Sequence, residues 1–141
     1  MQNGHLDGLS PDVAVVMIGT NNFGQRTPDS ESEVLDGVIA VVEELKTALP
    51  EVHVLLLGIF PRGQSFNAMR GSILQVNQSL QTKYSEDERV SFLPIGAQLI
   101  DDDGSVNTAI MPDYLHLSEK GYKRWATAII PSVLRKLKPM Q

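Results

Sequence analysis

The sequence of 141 residues predicts an α/β fold in which helices flank a parallel sheet. Short apolar runs, which are typical of buried strands, alternate with longer segments in which apolar residues recur every three or four positions. In addition, 42% of the residues are hydrophobic and 21% are charged, which is typical of a folded domain. We therefore expect a single domain over residues 1–141.

The first part of the chain predicts a strand, a helix and a second strand. Val13–Ile18 is a continuous run rich in β-branched residues, and we interpret it as a buried strand. Apolar residues then recur at helical spacing over residues 34–49, with candidate N-caps within residues 28–32. Val52–Phe60 is another continuous apolar run that stops at Pro61, and it predicts a second buried strand.

The middle of the chain continues this alternation. Residues 69–80 place apolar side chains on one helical face, which predicts a second helix. Val90–Ile95 is a weaker strand because Pro94 cannot donate a hydrogen bond to a neighbouring strand. We therefore expect this third strand to lie at an edge of the sheet.

A long loop over residues 96–115 leads to a C-terminal helix, for which Ser118 is a good N-cap and in which apolar residues recur until Leu137. Pro131 lies inside this segment and should kink or divide the helix. The order of elements indicates parallel strands joined by crossovers, with helices on both faces of the sheet. Because the run at 13–18 is too apolar for an exposed edge, we expect a further strand beside it.

Composition and motifs exclude several classes of partner. The net charge of -5 disfavours nucleic acid, and the absence of cysteine removes thiolate metal sites. Asp101–Gly104 resembles a calcium loop but lacks the glycine and glutamate that such a loop requires. No glycine-rich phosphate loop is present, which disfavours nucleotide cofactors, and we expect no cofactor. No apolar run is long enough to span a bilayer and the first residues do not resemble a signal peptide, so the localisation is left open.

Polar residues follow the predicted first strand at Gly19–Asn22. In a parallel α/β sheet, ligands gather beyond the carboxyl ends of the strands. A side-chain amide held there, such as that of Asn21, can donate a hydrogen bond to a developing oxyanion. The alternative interpretation is an ordinary turn of asparagine and glycine before a helix.

A second candidate group lies in the loop before the C-terminal helix. Asp113 precedes His116 by three residues, so its carboxylate can fold back onto the imidazole and fix the tautomer. Such a pair supplies a general base and its orienting partner. The alternative is an unrelated surface aspartate and a histidine before a helix. Because both loops should lie at the same edge of the sheet, Asn21, Asp113 and His116 could share one cleft.

These residues resemble the SGNH (GDSL-like) hydrolases, and the resemblance extends from residue 3 to the C-terminal helix. It is nearest to the branch that contains the catalytic subunits of platelet-activating-factor acetylhydrolase IB. Three motifs carry it, namely Val15–Asn22, Pro61–Gly63 and Asp113–Tyr122. The resemblance implies a flavodoxin-like three-layer α/β fold and a serine esterase that acts on short acyl esters, such as acetyl groups on a lipid or a sugar. It implies that Asn21 is the oxyanion-hole amide, His116 the general base and Asp113 its partner.

The sequence departs from the family pattern in one respect. The family's nucleophile is a serine in a Gly-Asp-Ser block, and its second oxyanion donor is a glycine after the next strand; neither block is present. The resemblance therefore implies a carboxyl-terminal portion without the first two strands and the first helix, in which Val13–Ile18 is the third strand. Ser65 comes near to a nucleophile elbow, but Asn67 replaces the final glycine, so we expect a loop or a helix cap there. We expect this chain to be inactive by itself.

Two other functions remain open from the sequence. The chain could be a non-catalytic interaction module whose first strand pairs with another copy, as in a homodimer, or with a partner. It could also be a flavodoxin-like domain that binds a small molecule, but this function would need a phosphate loop or an acidic cluster that the sequence lacks.

Overall fold

The computed structural model describes Gly4 and residues 6–137. In chain order, the elements are β1 (Val13–Val16), α1 (Thr20–Gly24), α2 (Glu31–Ala48), β2 (His53–Leu57), α3 (Ala68–Lys83), β3 (Val90–Leu93), a 3-10 helix (Ile95–Leu99) and α4 (Glu119–Leu134). This order confirms the predicted α/β class. The short helix α1 occurs where the sequence indicated only a turn.

The three strands form one sheet in the order β1-β2-β3, and both neighbouring pairs are parallel. The central strand β2 is buried, as predicted, and its side chains alternate between two cores. Val54 and Leu56 pack with α2 and α3, whereas Leu55 and Leu57 pack with α4 and the 3-10 helix. The result is a three-layer arrangement with helices on both faces of the sheet.

The prediction that Val13–Ile18 forms a buried strand is wrong. Within the described residues β1 pairs only with β2, so β1 lies at an edge of the sheet, and Val15 remains 40% exposed. The segment is apolar, but its burial depends on a neighbouring strand that the described part of the chain does not supply. The opposite edge is β3, as Pro94 predicted; this proline ends the strand and precedes the 3-10 helix.

Side-chain caps fix the beginnings of the three long helices. Ser30 forms a capping box with Glu33 at the start of α2, Asn67 accepts a hydrogen bond from the Arg70 N–H in α3, and Ser118 caps α4 as predicted. The last helix continues past Pro131 to Leu134, so the proline does not divide it. Pro131 lies in the last turn, where few helical hydrogen bonds remain to be lost.

The two helical layers differ in how completely they are covered. Val42 of α2 and Leu80 of α3 have no exposed surface, and they belong to the core on one face of the sheet. On the other face, Ile129 of α4 packs over Leu99 and Met111. No helix in the described part of the chain is both long enough and apolar enough to cross a membrane.

Candidate active site

A left-handed glycine turns the chain sharply after β1. Gly19 has φ 107° and precedes the first residue of α1. A Cβ at this position would lie 2.8 Å from Cδ1 of Ile59, so a larger residue would be both strained and overpacked. This turn places Thr20 and Asn21 beyond the carboxyl end of β1.

The two neighbouring asparagines of this turn have different surroundings. The Asn22 amide donates a 2.7 Å hydrogen bond to Oδ2 of Asp29, which also accepts a hydrogen bond from Gln25. The side chain of Asn21 is exposed and makes no hydrogen bond with any residue that the structure describes. Asn22 therefore holds the loop together, whereas the Asn21 amide is available to a ligand.

Asp113 and His116 form the predicted pair. Nδ1 of His116 lies 2.6 Å from Oδ2 of Asp113, while Oδ1 accepts hydrogen bonds from the backbone N–H groups of Leu115 and His116. Hydrogen bonding by the His116 side chain, followed by that of its backbone N–H, lowers the pKa of Asp113 to about 2. The carboxylate is therefore ionised at neutral pH. With Nδ1 donating to it, Nε2 of the neutral imidazole is the acceptor.

Several backbone features hold the loop that carries this pair. Tyr114 has φ 60°, an uncommon conformation for a residue with a side chain, and its carbonyl accepts a 2.9 Å hydrogen bond from the Gly63 N–H. The Ser118 N–H donates to the carbonyl of Ile110. A Cβ on Gly121 would collide with this same carbonyl, so α4 can approach the loop closely only with glycine there.

Two arginines connect the loops on either side of the site. Nη1 of Arg62 donates to the carbonyl of Thr20 at 2.9 Å. Arg70 is only 5% exposed, and it donates to the carbonyls of Arg62 at 3.1 Å and Gly63 at 2.6 Å. The sequence analysis missed the role of Arg70. The sequence does contain a signal for this role. Arg70 lies three residues before Ile73 on the apolar face of α3, where a charged side chain requires partners.

A cleft of about 640 Å³ brings the predicted site residues together. Asn21 and His116 both line it, and Asp113 supports His116 through the hydrogen bond described above. The apolar walls come mainly from β1, the end of β2 and α4, and include Val15, Met17, Ile18, Phe60, Tyr122 and Trp125. The cleft is open, since the side chains of His116 and Asp113 are 78% and 55% exposed.

The structure does not bring Ser65 to this cleft. Ser65 is an exposed residue before α3, and its carbonyl accepts a 3.0 Å hydrogen bond from the Asn67 amide. Nor does the aspartate-rich turn contribute, because Asp101 accepts a hydrogen bond from Asn107 and Asp103 accepts one from the Ser105 N–H. No group of three or more potential metal ligands occurs among the described residues.

Comparison with known proteins gives the family. Residues 1–124 match the family model of the GDSL-like lipases and acylhydrolases. The chain belongs to this family. The resemblance inferred from the Asn21, Pro61–Gly63 and Asp113–His116 motifs is thereby confirmed at the level of the family.

Two relatives show which members of the GDSL-like family this chain resembles. Human platelet-activating factor acetylhydrolase IB subunit alpha1 is 34% identical over 137 residues, which are 97% of this chain and 58% of that protein. The rat alpha2 subunit is 33% identical over 124 residues, 88% of this chain and 52% of that protein. The chain therefore spans somewhat more than half the length of these relatives.

A solved structure shows the same fold. The crystal structure of a GDSL-like lipase from Bacteroides thetaiotaomicron superimposes with a TM-score of 0.74 at 17% identity, and the match covers 90% of this chain and 64% of that one. The α/β fold of the GDSL-like hydrolases is therefore confirmed for the chain described here.

Proposed function

We propose that His116 is the general base of a serine-dependent ester hydrolase, that Asp113 orients it, and that Asn21 binds the oxyanion. The observation that carries this proposal is the 2.6 Å contact between Nδ1 of His116 and Asp113, in a cleft that also contains the Asn21 amide, which bonds to no described residue. A base with a fixed tautomer and a nearby hydrogen-bond donor are the groups that acyl transfer requires.

In the proposed reaction, Nε2 of His116 takes the proton of a serine hydroxyl as its oxygen attacks the ester carbonyl. The negative charge of Asp113 stabilises the resulting imidazolium, while the Asn21 amide donates a hydrogen bond to the tetrahedral oxyanion. Collapse of this intermediate breaks the bond to the alcohol oxygen, which receives the proton from His116. Water then attacks the acyl-serine with His116 again as the base, and the carboxylic acid leaves.

The proposed substrates are esters with a short acyl group, such as acetyl groups on a lipid or a sugar. The names of the human and rat relatives support an acetyl group. The apolar walls of the cleft, which include Phe60 and Trp125, suit an uncharged ester better than a highly charged one. No step of this chemistry requires a metal or an organic cofactor.

Among the residues that the structure describes, no serine lines the cleft that contains His116, so a nucleophile is missing there. The family's Gly-Asp-Ser block is absent from the sequence, and Ser65 does not line the cleft. We therefore propose that the chain by itself does not turn over esters, and that a segment with this block must complete the site. Such a segment would also cover the exposed edge of β1.

The proposal can be tested by comparing the 141-residue chain with the same chain joined to a family member's segment that carries the first two strands and the Gly-Asp-Ser block. We expect no hydrolysis of p-nitrophenyl acetate by the chain alone and hydrolysis by the joined protein. In the joined protein, His116→Ala should lower kcat at least about a thousandfold and Asn21→Ala about a hundredfold. Circular dichroism establishes that each protein is folded.

Gln25→Ala is the matched control, because Gln25 is an exposed side-chain amide near Asn21 that, among the described residues, bonds to Asp29 and does not line the cleft. Its activity should be unchanged. A fluorophosphonate probe, mapped by mass spectrometry, adds a direct test of the nucleophile. Labelling of Ser65 in the 141-residue chain, or ester turnover by that chain that His116→Ala abolishes, would contradict the proposal.

A second candidate function is self-association through β1. The supporting observation is that this apolar edge strand pairs only with β2 among the described residues, with Val15 exposed beside the exposed Tyr122 of α4. An unpaired apolar edge favours addition of a strand from another chain. Light scattering should then show dimers or larger species that Val15→Lys converts to monomers. A monodisperse monomer of the unaltered chain at high concentration would argue against this function.

A further inference from the structure

A second cavity lies on the β3 side of the sheet, away from the open edge of β1. It has a volume of about 300 Å³ and shares no lining residue with the cleft of Asn21 and His116. Its walls come from α3, the ends of β2 and β3, and the 3-10 helix. The apolar residues among them include Ile59, Ile73, Leu74, Phe92 and Ile100. This size is at the lower end of the range of small-molecule sites, and such a lining suits an alkyl chain.

One charged side chain lines this cavity, and that is Arg70. Its guanidinium donates to three backbone carbonyls, those of Arg62, Gly63 and Gly104. It has no carboxylate partner within the described part of the chain, although it is almost completely buried. Burial lowers the pKa of Arg70, but a guanidinium stays protonated. A buried positive charge that only neutral carbonyls surround favours an anionic ligand.

The guanidinium of Arg70 and the apolar wall of the cavity follow one another along α3. Gly104 accepts a hydrogen bond from Arg70, and a Cβ at Gly104 would lie 3.8 Å from Cδ2 of Phe66, so the ring of Phe66 is near the guanidinium. Ile73 and Leu74 follow about one helical turn further along α3. Asp103, which adjoins Gly104, directs its carboxylate to the Ser105 N–H and does not pair with Arg70.

We infer that this cavity binds a small amphiphilic carboxylate, with its head group toward Arg70 and its alkyl chain between α3 and β3. A carboxylate can accept two hydrogen bonds from a guanidinium, and the charge-assisted bonds are stronger than those to a neutral group. An alkyl chain would remove the exposed surfaces of Phe66 and Leu74 from water. The inference concerns a site separate from the proposed ester cleft and does not depend on the function of that cleft.

Nuclear magnetic resonance titration of the 15N-labelled chain with octanoate tests this inference. We expect saturable shifts in α3, at the ends of β2 and β3 and in residues 95–100, with Trp125 and His116 unaffected. Two further probes separate the parts of the ligand, since 1-octanol has the alkyl chain without the charge and acetate has the charge without the chain. Each should bind at least about tenfold more weakly than octanoate.

Variants identify the wall that contacts the ligand. Leu74→Glu places a negative charge on the cavity wall at a half-exposed position, and it should weaken octanoate binding at least about tenfold. Ile130→Glu is the matched control, because Ile130 of α4 is equally exposed, at 50% compared with 51% for Leu74, and lies outside the cavity. Equal binding of octanoate and 1-octanol, shifts centred on Trp125, equal effects of the two variants, or no saturable shifts would each overturn the inference.

Discussion

The two helical layers of this molecule have similar amphipathic sequences but different surroundings. In the layer formed by α2 and α3, the apolar stripes face a closed core, and Leu80 has no exposed surface. In the layer formed by α4, one apolar stripe packs on the sheet while a second stays in solvent, with Leu134 62% exposed. The exposed edge of β1 adjoins this open layer, since Val15 and Tyr122 line the same cleft.

This difference indicates which part of the molecule stabilises the fold and which part carries the candidate site. The closed layer supplies the larger of the two buried apolar clusters that stabilise the fold. The open layer carries Asn21 and His116, whose polar groups must reach a ligand and therefore cannot be covered by the core. A segment that completed the sheet would cover the open layer while leaving the closed layer unchanged.

The largest expected effect comes from truncating a leucine in each layer. Leu80→Ala removes a fully buried side chain from the closed layer and should lower the free energy of unfolding by about 3 kcal/mol. Leu134→Ala removes a side chain that is mostly in solvent and should change it by less than about 0.5 kcal/mol. Urea unfolding followed by circular dichroism measures both. Similar losses for the two variants would mean that the open stripe is buried in solution, as a self-associated chain would require.

Two helical glycines sharpen the comparison of the layers. At these positions the helix of the open layer is packed more tightly than the helix of the closed layer. Gly121→Ala directs a methyl group into the carbonyl of Ile110, and we expect a loss of about 2 kcal/mol. Gly37→Ala, in α2, meets no atom within 4 Å and should stabilise the chain by about 0.5 kcal/mol. Thermal unfolding measures the sign of the stability change for each substitution. Equal stabilisation by the two substitutions would show that α4 does not approach the loop of Asp113 closely.

Local patterns account for the parts of the fold that the sequence predicted. The helical spacing over 34–49 and the apolar run at 52–60 correspond to α2 and β2, because each pattern arises within one element. The pairing of Asp113 with His116 was also predictable, since the two residues are three positions apart in one loop. The burial of β1 was not predictable, because it depends on which strands lie beside it.

The unpredicted parts of the candidate site depend on contacts between distant segments. Arg70 holds the carbonyls of Gly63 and Gly104, and the second of these lies 34 positions away in the chain. No spacing rule connects an arginine to two carbonyls. The family resemblance singled out Asn21 rather than Asn22, and the hydrogen bond of Asn22 with Asp29 gives a physical difference between the two amides that residue type alone does not give.

An ion pair in each layer allows a further comparison. We again expect the larger loss of stability in the closed layer, but the difference between the layers should be smaller than for the leucines. Nζ of Lys46 lies 2.7 Å from Asp87 in a largely buried pair between α2 and the turn before β3, and this hydrogen bond raises the pKa of Lys46. We expect Lys46→Met to cost about 1 kcal/mol. Lys123 and Glu119 form an exposed pair on α4, so Lys123→Met should be neutral. Urea unfolding in low salt would contradict this expectation if the two losses were equal.

The last effect concerns Asp113, whose contribution to stability depends on pH and bears most directly on the candidate site. The hydrogen bond from His116 lowers the pKa of Asp113 from 3.8 to about 2. A carboxylate whose pKa is lower in the folded state contributes stability above its unfolded pKa and loses this contribution as the pH falls. The contribution of Asp113 should therefore be complete above about pH 4 and disappear toward pH 2.

Carbon-13 titration of the side-chain carboxyl group measures this pKa directly, and we expect a midpoint near 2 in the unaltered chain. His116→Ala removes the side-chain hydrogen bond that is the largest cause of the shift, so the midpoint should rise toward 3.8. Asp103 is the internal control, because its pKa is lowered by the Ser105 N–H and should not respond to the substitution. An unchanged midpoint for Asp113 would mean that the carboxylate is held by backbone N–H groups alone. The titration would then give no support for the role of Asp113 in orienting His116.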